Sequence, residues 1–263
     1  MKEVETRKKE EIKFHDAVRN KELEELDEKR FKRLTSNRKF YYITEMSEDF
    51  KNSFLIKNCK GKKVLDYCCG NGPVTFFLAR NGADAYGIDI SPISIENCKK
   101  EASKEGLEDN THFFVMDAEK LEFQDNYFDL IACCGILHHL DVAKAYPELS
   151  RVLKPDGKIL CNEPLSYNPV FQLYRKATPH LRTKWEAEHI LSKKDIDLAN
   201  NYFNNSEKRF FHLFVLLAVP FAGTFIFRPL LRVLEKIDSV ALSLPGLQWW
   251  AWQIVFILSK PKK

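Results

Sequence analysis

The residues best suited to binding a ligand lie between Lys63 and Arg80, in the segment KVLDYCCGNGPVTFFLAR. A short apolar run ends at Asp66, a turn with Gly70 and Gly72 follows, and the apolar residues after it have helical spacing. This order predicts a strand, a glycine turn and a helix. Glycine lets a ligand approach the main chain closely, and the free N–H groups at a helix start attract negative or polar groups. The segment therefore predicts a site for a nucleotide-like ligand.

The spacing of the glycines excludes two phosphate-binding motifs. A dinucleotide-binding turn has the pattern G-x-G-x-x-G, but Thr75 stands where the third glycine would be. A P-loop needs Gly-Lys followed by Ser or Thr, and the chain has no such tripeptide. The turn therefore disfavours a ligand held by its phosphate groups.

The same stretch resembles motif I of the class I S-adenosylmethionine-dependent methyltransferases, a hydrophobic residue followed by Leu-Asp-x-Gly-Cys-Gly-x-Gly. The motif occupies 64–72, and Cys68 stands in the place of its first glycine. The resemblance covers about 60–260, includes the segment RVLKPDGK, and is to UbiE-like members with methyltransferase domains of type 11 or 25. It implies a Rossmann-like, doubly wound α/β fold with seven strands. It also implies the cofactor S-adenosylmethionine, with S-adenosylhomocysteine as product.

Apolar runs and helical patterns alternate along the middle of the chain. Such alternation predicts a parallel sheet with helices on both faces. In such sheets, ligands bind beyond the carboxyl ends of the strands. Strands are predicted at 63–67, 84–88, 111–116, 127–134 and 157–163, and helices at 73–81, 92–105 and 142–153.

Acidic residues stand at the ends of the first three predicted strands. Asp89 follows the glycine turn by about 20 residues, the place of an acid that binds the ribose hydroxyls, although it could also cap the next helix. The resemblance assigns the adenine amino group to Asp117 and Ala118. Three acids suit a ligand with a sulfonium and an amino group better than a pyrophosphate. The predicted cofactor-binding residues are Asp66, Cys68, Gly70, Asn71, Gly72, Asp89, Ile90, Asp117, Ala118 and Cys134.

The fourth predicted strand resembles the family's stretch beneath the methionine part of the cofactor. Its end, 132–135, lacks the Asn/Asp-Pro-Pro-aromatic motif of enzymes that methylate exocyclic amines of bases, so base methylation is disfavoured. His138 and His139 follow, and either could act as a general base near neutral pH. Alternatively both are ordinary residues after the strand, since Leu-His-His is common in family members with very different substrates. Methyl transfer to a thiolate or carbanion would also need no base.

The region before the strands predicts a helical arm over 1–59, ahead of a methyltransferase domain over 60–263. Residues 1 to 39 carry dense mixed charge with partly helical apolar spacing. The resemblance would make this arm, with His15 and Tyr41, a cover over the active site that contacts substrate. A solvated, charge-rich packing face is the alternative.

Two insertions near the C-terminus would lie on the acceptor side of the site, at about 164–205 and 220–244. Polar residues concentrate near the first, and we predict that Glu163 and Arg175 contact the acceptor. The same residues could instead form internal ion pairs that hold the insertion.

The segment 210–227 has eighteen residues without Lys, Arg, Asp or Glu, long enough to test as a membrane span. Pro220 and Gly223 divide it, and a single span would separate the last strand, predicted at 249–258, from the sheet. We therefore predict a sixth strand at 208–217 and a helical insertion at 220–244. The insertion mixes Phe and Leu with Arg and Lys, which fits a pocket for an apolar acceptor or a peripheral membrane contact. A homodimer interface or plain core is left open.

Composition limits which partners, compartments and metal sites are expected. The net charge of +4 is mild, so no nucleic-acid partner is expected. Seven cysteines without a signal peptide predict a cytoplasmic protein with reduced thiols, and without C-x-x-C spacing we expect no metal site. The sequence thus predicts methyl transfer to a small-molecule or lipid-like acceptor. The alternatives are a methyltransferase acting on protein or RNA, and a non-catalytic regulatory module that binds S-adenosylmethionine.

Overall fold

The computed structural model describes residues 2–19, 40, 42–179 and 183–263. Tyr41 and the segment 20–39 of the predicted arm lie outside these residues, and so does the side chain of His15. Predictions made for them therefore stay predictions.

A seven-stranded sheet forms the centre of the molecule, in the order β3-β2-β1-β4-β5-β7-β6. The first five strands run parallel, and β7 lies antiparallel between β5 and β6. This arrangement confirms the predicted doubly wound α/β fold. The strands are β1 (Lys63–Tyr67), β2 (Asp84–Asp89), β3 (Thr111–Val115), β4 (Phe128–Cys134), β5 (Leu153–Pro164), β6 (Phe203–Phe211) and β7 (Gln253–Pro261).

Helices connect and cover these strands. The α-helices are α1 (Lys2–Arg19), α2 (Glu45–Cys59), α3 (Pro73–Arg80), α4 (Pro92–Glu105), α5 (Val142–Val152), α6 (Pro169–Ala177), α7 (Lys184–Glu188), α8 (Lys193–Leu198) and α9 (Phe227–Ala241). Short 3₁₀ helices lie at Glu108–Asn110, Leu137–His139, Ala199–Asn201, Phe214–Phe221 and Leu247–Trp250.

The core lies on both faces of the sheet because successive strand residues point to opposite sides. In β1, Leu65 packs into one apolar cluster and its neighbour Val64 into another. Ile131 and Leu130 of β4 divide between the same two clusters. Strands buried on both faces read as continuous apolar runs, which is why these runs were visible in the sequence.

The fifth strand begins earlier than its predicted start at residue 157. Phe128 pairs with Leu153 and Leu130 pairs with Lys158, so the four residues between the two partners bulge out of the ladder. These residues, 154–157, are the Lys-Pro-Asp-Gly sequence whose proline and glycine favour a turn. The turn therefore forms inside the strand instead of before it.

The sixth strand is shifted from its predicted position: it ends at Phe211, and the 3₁₀ helix 214–221 takes the place of its second half. His212 adopts a left-handed backbone with φ of 68°, which ends the strand. The buried carboxylate of Asp238 on α9 then accepts the N–H groups of Leu213 and Phe214 at 2.9 and 2.6 Å. These long-range bonds turn the backbone away from the sheet.

The last strand begins at Gln253, four residues later than predicted, because Leu247–Trp250 forms a 3₁₀ helix. Its antiparallel insertion into the sheet is confirmed. Throughout the described ranges, helices fall short of the length and apolarity needed to cross a bilayer.

Burial of His212 makes the stability of the fold sensitive to acid. Its Nε2 lies 2.8 Å from Ser47 Oγ, and burial lowers its pKa from the ordinary 6.5 to about 3. A depressed histidine pKa stabilises the fold fully above the unfolded-state value and loses that contribution as pH falls towards the folded-state value.

We expect the free energy of unfolding to fall by about 1.4 kcal/mol for each pH unit below about 6.5 through this group. His212→Asn, which tolerates the left-handed backbone and stays neutral, should show a shallower decline in urea unfolding measured at several pH values. His189→Asn, at an exposed position, is the matched control. Equal pH slopes for His212→Asn and the unsubstituted protein would contradict the assignment.

Candidate functional site

The turn between β1 and α3 has the backbone that its glycines predict. Gly72 has a φ of 81°, and a Cβ there would lie 2.8 Å from the Phe76 ring. Cys68 also adopts a left-handed backbone, with φ of 64°. A non-glycine residue adopts this conformation at a cost of about 1 to 2 kcal/mol. Cys68, which stands in the place of the motif's first glycine, thus has a backbone that favours glycine.

The buried carboxylate of Asp66 holds the turn through hydrogen bonds from the first turn of α3. Its Oδ2 accepts the backbone N–H of Thr75 at 2.9 Å and the Thr75 hydroxyl at 2.7 Å. Burial raises the pKa of Asp66 to about 6, although the two bonds from Thr75 lower it. Oδ2 of Asp66 therefore already has hydrogen-bond partners inside the protein. Sequence analysis treated Thr75 only as a missing glycine and overlooked its role as the partner of Asp66.

Asp89, at the end of β2, also holds the turn through a hydrogen bond. Its Oδ2 accepts the N–H of Gly70, and its Oδ1 accepts the N–H of Ser91, both at 2.9 Å. Ser91 in turn is the residue that caps α4, because its Oγ accepts the N–H of Ser94. Asp89 thus joins the glycine turn to the start of α4.

A small cavity of about 50 Å³, the strand-end cavity, lies against the ends of β1, β2 and β3. It brings together five of the ten predicted cofactor residues. Gly70, Asn71, Gly72 and Asp66 lie outside its lining, and Cys134 lines a different cavity. The strand-end cavity is lined by Cys68, Asp89, Ile90, Met116, Asp117, Ala118, Ile136, His139 and Leu140, and by Arg7, Lys8 and Glu11 of α1.

Helix α1 covers the strand-end cavity through charged contacts. Lys8 forms ion pairs with Asp117 and, at 3.1 Å, with Glu119. Arg7 also pairs with Glu119, whose side chain is almost fully buried. Glu11 lies 3.3 Å from Nδ1 of His139. These contacts place α1 over the predicted adenine-binding residues.

A larger cavity of about 380 Å³, the aromatic cavity, lies at the ends of β4 and β5. Four aromatic rings form one side of it. Phe171 stacks on Trp252 with ring centroids 4.2 Å apart, and Phe40 lies 4.9 Å from Phe171. The cavity is lined by Phe40, Glu48, Lys51, Cys134, Gly135, His138, Asn162, Glu163, Pro164, Phe171, Tyr174, Arg175, Trp252 and Gln253.

His138 and Glu163 form a buried pair in the wall of the aromatic cavity. Glu163 Oε2 lies 2.7 Å from Nδ1 of His138, and its Oε1 accepts the N–H groups of Ile136 and Leu137 at 2.7 and 2.8 Å. Both oxygens of Glu163, predicted to contact an acceptor, are thus already bonded within the protein. The pair leaves Nε2 of His138 as the nitrogen that can exchange a proton with a bound molecule.

Asn162 and Arg175 add polar groups to the aromatic cavity. Asn162 Oδ1 is buried and has no hydrogen-bond donor among the described residues. Because buried polar atoms normally have partners, this oxygen is suited to accept a bond from a bound molecule. Sequence analysis missed Asn162, although its place at the end of β5 marks it. Nη1 of Arg175, predicted to contact the acceptor, reaches the Leu165 carbonyl at 3.4 Å.

Potential metal ligands also meet between the two cavities. One ligand atom each from His138, His139 and Glu186 lies within 4.8 Å of the others. The Nδ1 atoms of both histidines already face carboxylates, those of Glu163 and Glu11. All seven cysteines are free thiols outside this group.

The Asp66–Thr75 bond gives a test of how the turn is held. A raised carboxyl pKa means that stability is lost as pH rises from the ordinary value of 3.8 through about 6, where Asp66 ionises. The Thr75 hydroxyl offsets part of that loss by donating to the charged carboxylate.

Thr75→Val should therefore lower the free energy of unfolding by about 2 kcal/mol at neutral pH and by much less near pH 4 to 5, where Asp66 is protonated. Thr75→Ser keeps the donor and controls for the small loss of packing. Urea unfolding at both pH values measures the difference, and a loss independent of pH would rule out this role of the hydroxyl.

Comparisons with known proteins indicate which kind of domain the chain contains. The profile of a family described as a methyltransferase domain matches residues 65–161. Phosphoethanolamine N-methyltransferase 3 of Arabidopsis thaliana is 36% identical over 138 residues, 50% of this chain and 27% of its own. The ubiquinone/menaquinone biosynthesis C-methyltransferase UbiE of Rickettsia felis is 36% identical over 120 residues, 43% of this chain and 47% of its own. The chain thus spans less than half the length of either relative.

The fold is also shared with a solved structure. The YcgJ protein of Bacillus subtilis superposes with a TM-score of 0.55 at 22% identity, covering 81% of this chain and 99% of that one.

Proposed function

This chain carries a class I S-adenosylmethionine-dependent methyltransferase domain, and we propose that it moves the methyl group of that cofactor to a small-molecule or lipid-like acceptor. The observation that carries the proposal is the pair of cavities at the carboxyl edge of the sheet. One has the strand-end acids and the other has aromatic walls. The segment 134–139 contributes residues to both cavities, so two ligands bound there would meet.

The strand-end cavity is assigned to the adenosine part of the cofactor. Asp89, which also bonds Gly70 and Ser91, would accept the ribose hydroxyls, since a carboxylate can accept several hydrogen bonds. Asp117 and Ala118 would meet the adenine. The glycine turn, with Asn71, would lie along the methionine part, and Cys134 beside it.

The arm must move for this ligand to enter. A cavity of about 50 Å³ has room for a few water molecules, whereas cavities that bury a small-molecule ligand measure about 300 Å³ or more. Lys8 also neutralises Asp117, which the adenine amino group would need as an acceptor. We therefore propose that α1, within the arm predicted over 1–59, is a cover that releases Asp117 when the cofactor binds, and that 60–263 is the catalytic domain.

Removing the contact that competes with the cofactor should tighten cofactor binding. Lys8→Met should lower the dissociation constant of S-adenosylmethionine about fivefold, the equivalent of about 1 kcal/mol for a partly exposed ion pair. Lys13→Met, on an exposed position of the same helix, is the matched control. Calorimetric titration measures both, and weaker binding by Lys8→Met would mean that Lys8 holds the cofactor instead of excluding it.

The aromatic cavity is assigned to the acceptor. The two relatives named above are a phosphoethanolamine N-methyltransferase and a ubiquinone/menaquinone biosynthesis C-methyltransferase, which supports a small-molecule or lipid-like acceptor over a macromolecule. Aromatic walls favour a planar or apolar body. Asn162 Oδ1 and the Arg175 guanidinium would bind its polar end.

His138 is the residue positioned to act as general base. The bound cofactor supplies an electrophilic methyl group on its sulfonium. Nε2 of His138 would take the proton that a hydroxyl or amine acceptor loses as its lone pair attacks the methyl carbon. Glu163 would hold the ring in one orientation and stabilise the imidazolium that forms. His139, the other predicted base, lines the strand-end cavity instead.

The His138 role predicts a loss of turnover with binding intact. His138→Gln should lower the turnover number about 100-fold or more, with S-adenosylmethionine affinity unchanged. Glu163→Gln should show a smaller loss of the same kind. The exposed His189→Gln is the matched control. An unchanged rate in His138→Gln would show that the acceptor needs no base.

The acceptor class is tested by incubating the chain with methyl-labelled S-adenosylmethionine and an extract of its source cells. Label in the solvent-extractable lipid or small-molecule fraction supports the proposal. Label in protein or nucleic acid overturns the acceptor class. Cofactor binding without any transfer would identify a regulatory module.

A further inference from the structure

Helix α9 presents two opposite faces with different environments. Phe227, Leu231 and Leu234 point inward and are buried. On the outer side, Val233, Ile237 and Val240 follow one another at the three- and four-residue spacing that places side chains on one face of a helix. Val233 is 56% exposed and Val240 is 66% exposed.

The exposed apolar residues continue beyond both ends of α9. Phe225, just before it, is 90% exposed, and Ile226 and Leu244 are also exposed. We call Phe225, Ile226, Val233, Ile237, Val240 and Leu244 the α9 apolar face. Contiguous exposed apolar surface of this kind marks a contact with something other than water.

Cations border the α9 apolar face. Arg228, Arg232 and Lys236 are exposed and follow one another every four residues, and the last two directly precede Val233 and Ile237 of the apolar face. The two acids of the helix are less exposed than its cations, and Glu235 is close enough to Arg228 and Arg232 to interact with them electrostatically. Asp238 is buried and bonds the backbone at 213–214, and Glu235 is half-buried, with its pKa raised by burial. The outer side of α9 is therefore apolar and positively charged.

We propose that the α9 apolar face docks on a lipid surface with anionic head groups. Large apolar side chains would enter the boundary between head groups and acyl chains, and the bordering cations would pair with lipid phosphates. Arg228 pairs with Glu45 at 2.8 Å, so Arg232 and Lys236 are the cations expected to contribute most.

The inner side of the same helix connects this surface to the acceptor site. Phe227, Leu231 and Leu234 pack in one apolar cluster with Phe171 and Trp252. Phe171 and Trp252 also line the aromatic cavity. A lipid surface on α9 would thus lie close behind the wall of that cavity. The inference deepens the proposed function and rests on it in one respect, that the acceptor is an amphiphile present in the same membrane.

The positive charge beside the α9 apolar face disfavours a second copy of the chain as the partner that covers this face. A two-fold interface built on this face would bring Arg232 and Lys236 of both copies to the same contact. On α9 itself, the described acids are Glu235 and Asp238, and neither is exposed to balance them. Like charges brought together in an interface weaken it.

Vesicle sedimentation with the full chain, without cofactor or acceptor, tests the proposal. The chain should co-sediment with phosphatidylcholine vesicles containing phosphatidylserine, and more weakly with phosphatidylcholine alone or at high salt. Val233→Ser with Val240→Ser should weaken binding about tenfold, and Arg232→Gln with Lys236→Gln should remove the preference for phosphatidylserine. Val115→Ser is the matched control, because Val115 is a valine 54% exposed on β3, at the opposite end of the sheet.

Failure of the chain to bind either vesicle would overturn the proposal, as would equal binding by the double valine variant and the Val115→Ser control. Sedimentation velocity without vesicles completes the test. A dimer that the double valine variant abolishes would assign the face to a second copy instead. Because vesicle binding needs no turnover, a membrane-bound chain that labels only water-soluble molecules would leave the docking surface standing and change the acceptor class alone.

Discussion

Two buried carboxylates hold the structure on which the proposed site depends. Asp66 at the end of β1 and Asp89 at the end of β2 both bond the main chain of the glycine turn or the helix after it. A carboxylate buried without donors would be strongly destabilising, so each must keep these bonds. The pKa of Asp66 is raised because its hydrogen bonds from Thr75 offset only part of the cost of burying its charge. The turn is therefore fixed by bonds within the protein, which also occupy the N–H groups of Cys69, Gly70 and Gly72.

The sequence predicted those elements whose formation depends on a local pattern of residues. Apolar runs buried on both faces of the sheet showed the five parallel strands, and the glycine spacing showed the binding turn. What it could not predict depends on residues far apart in the chain. The sixth strand ends early because Asp238 bonds the backbone of Leu213 and Phe214, 24 to 25 residues away. The role of Glu163 likewise depends on His138, which lies on a different element.

The short 3₁₀ helix Leu137–His139 contributes one residue to the wall of each cavity. His138 lines the aromatic cavity and His139, the next residue, lines the strand-end cavity. Each is held by a carboxylate from elsewhere, Glu163 of β5 and Glu11 of the arm. A displacement of the arm would therefore reach His139 directly. Sequence analysis found both histidines but could not show that adjacent residues serve different sides of the site.

The position of β7 has a consequence for how the molecule assembles. This strand follows β5 and β6 in the chain, yet it lies between them in the sheet. Among the described strands β6 pairs with β7 alone, so during synthesis its partner is missing until residues 253–261 have left the ribosome. Strand pairing over such sequence distances closes large loops and slows folding. Trp252 and Gln253 stand at the start of β7, so the aromatic cavity gains its last wall only in that final step.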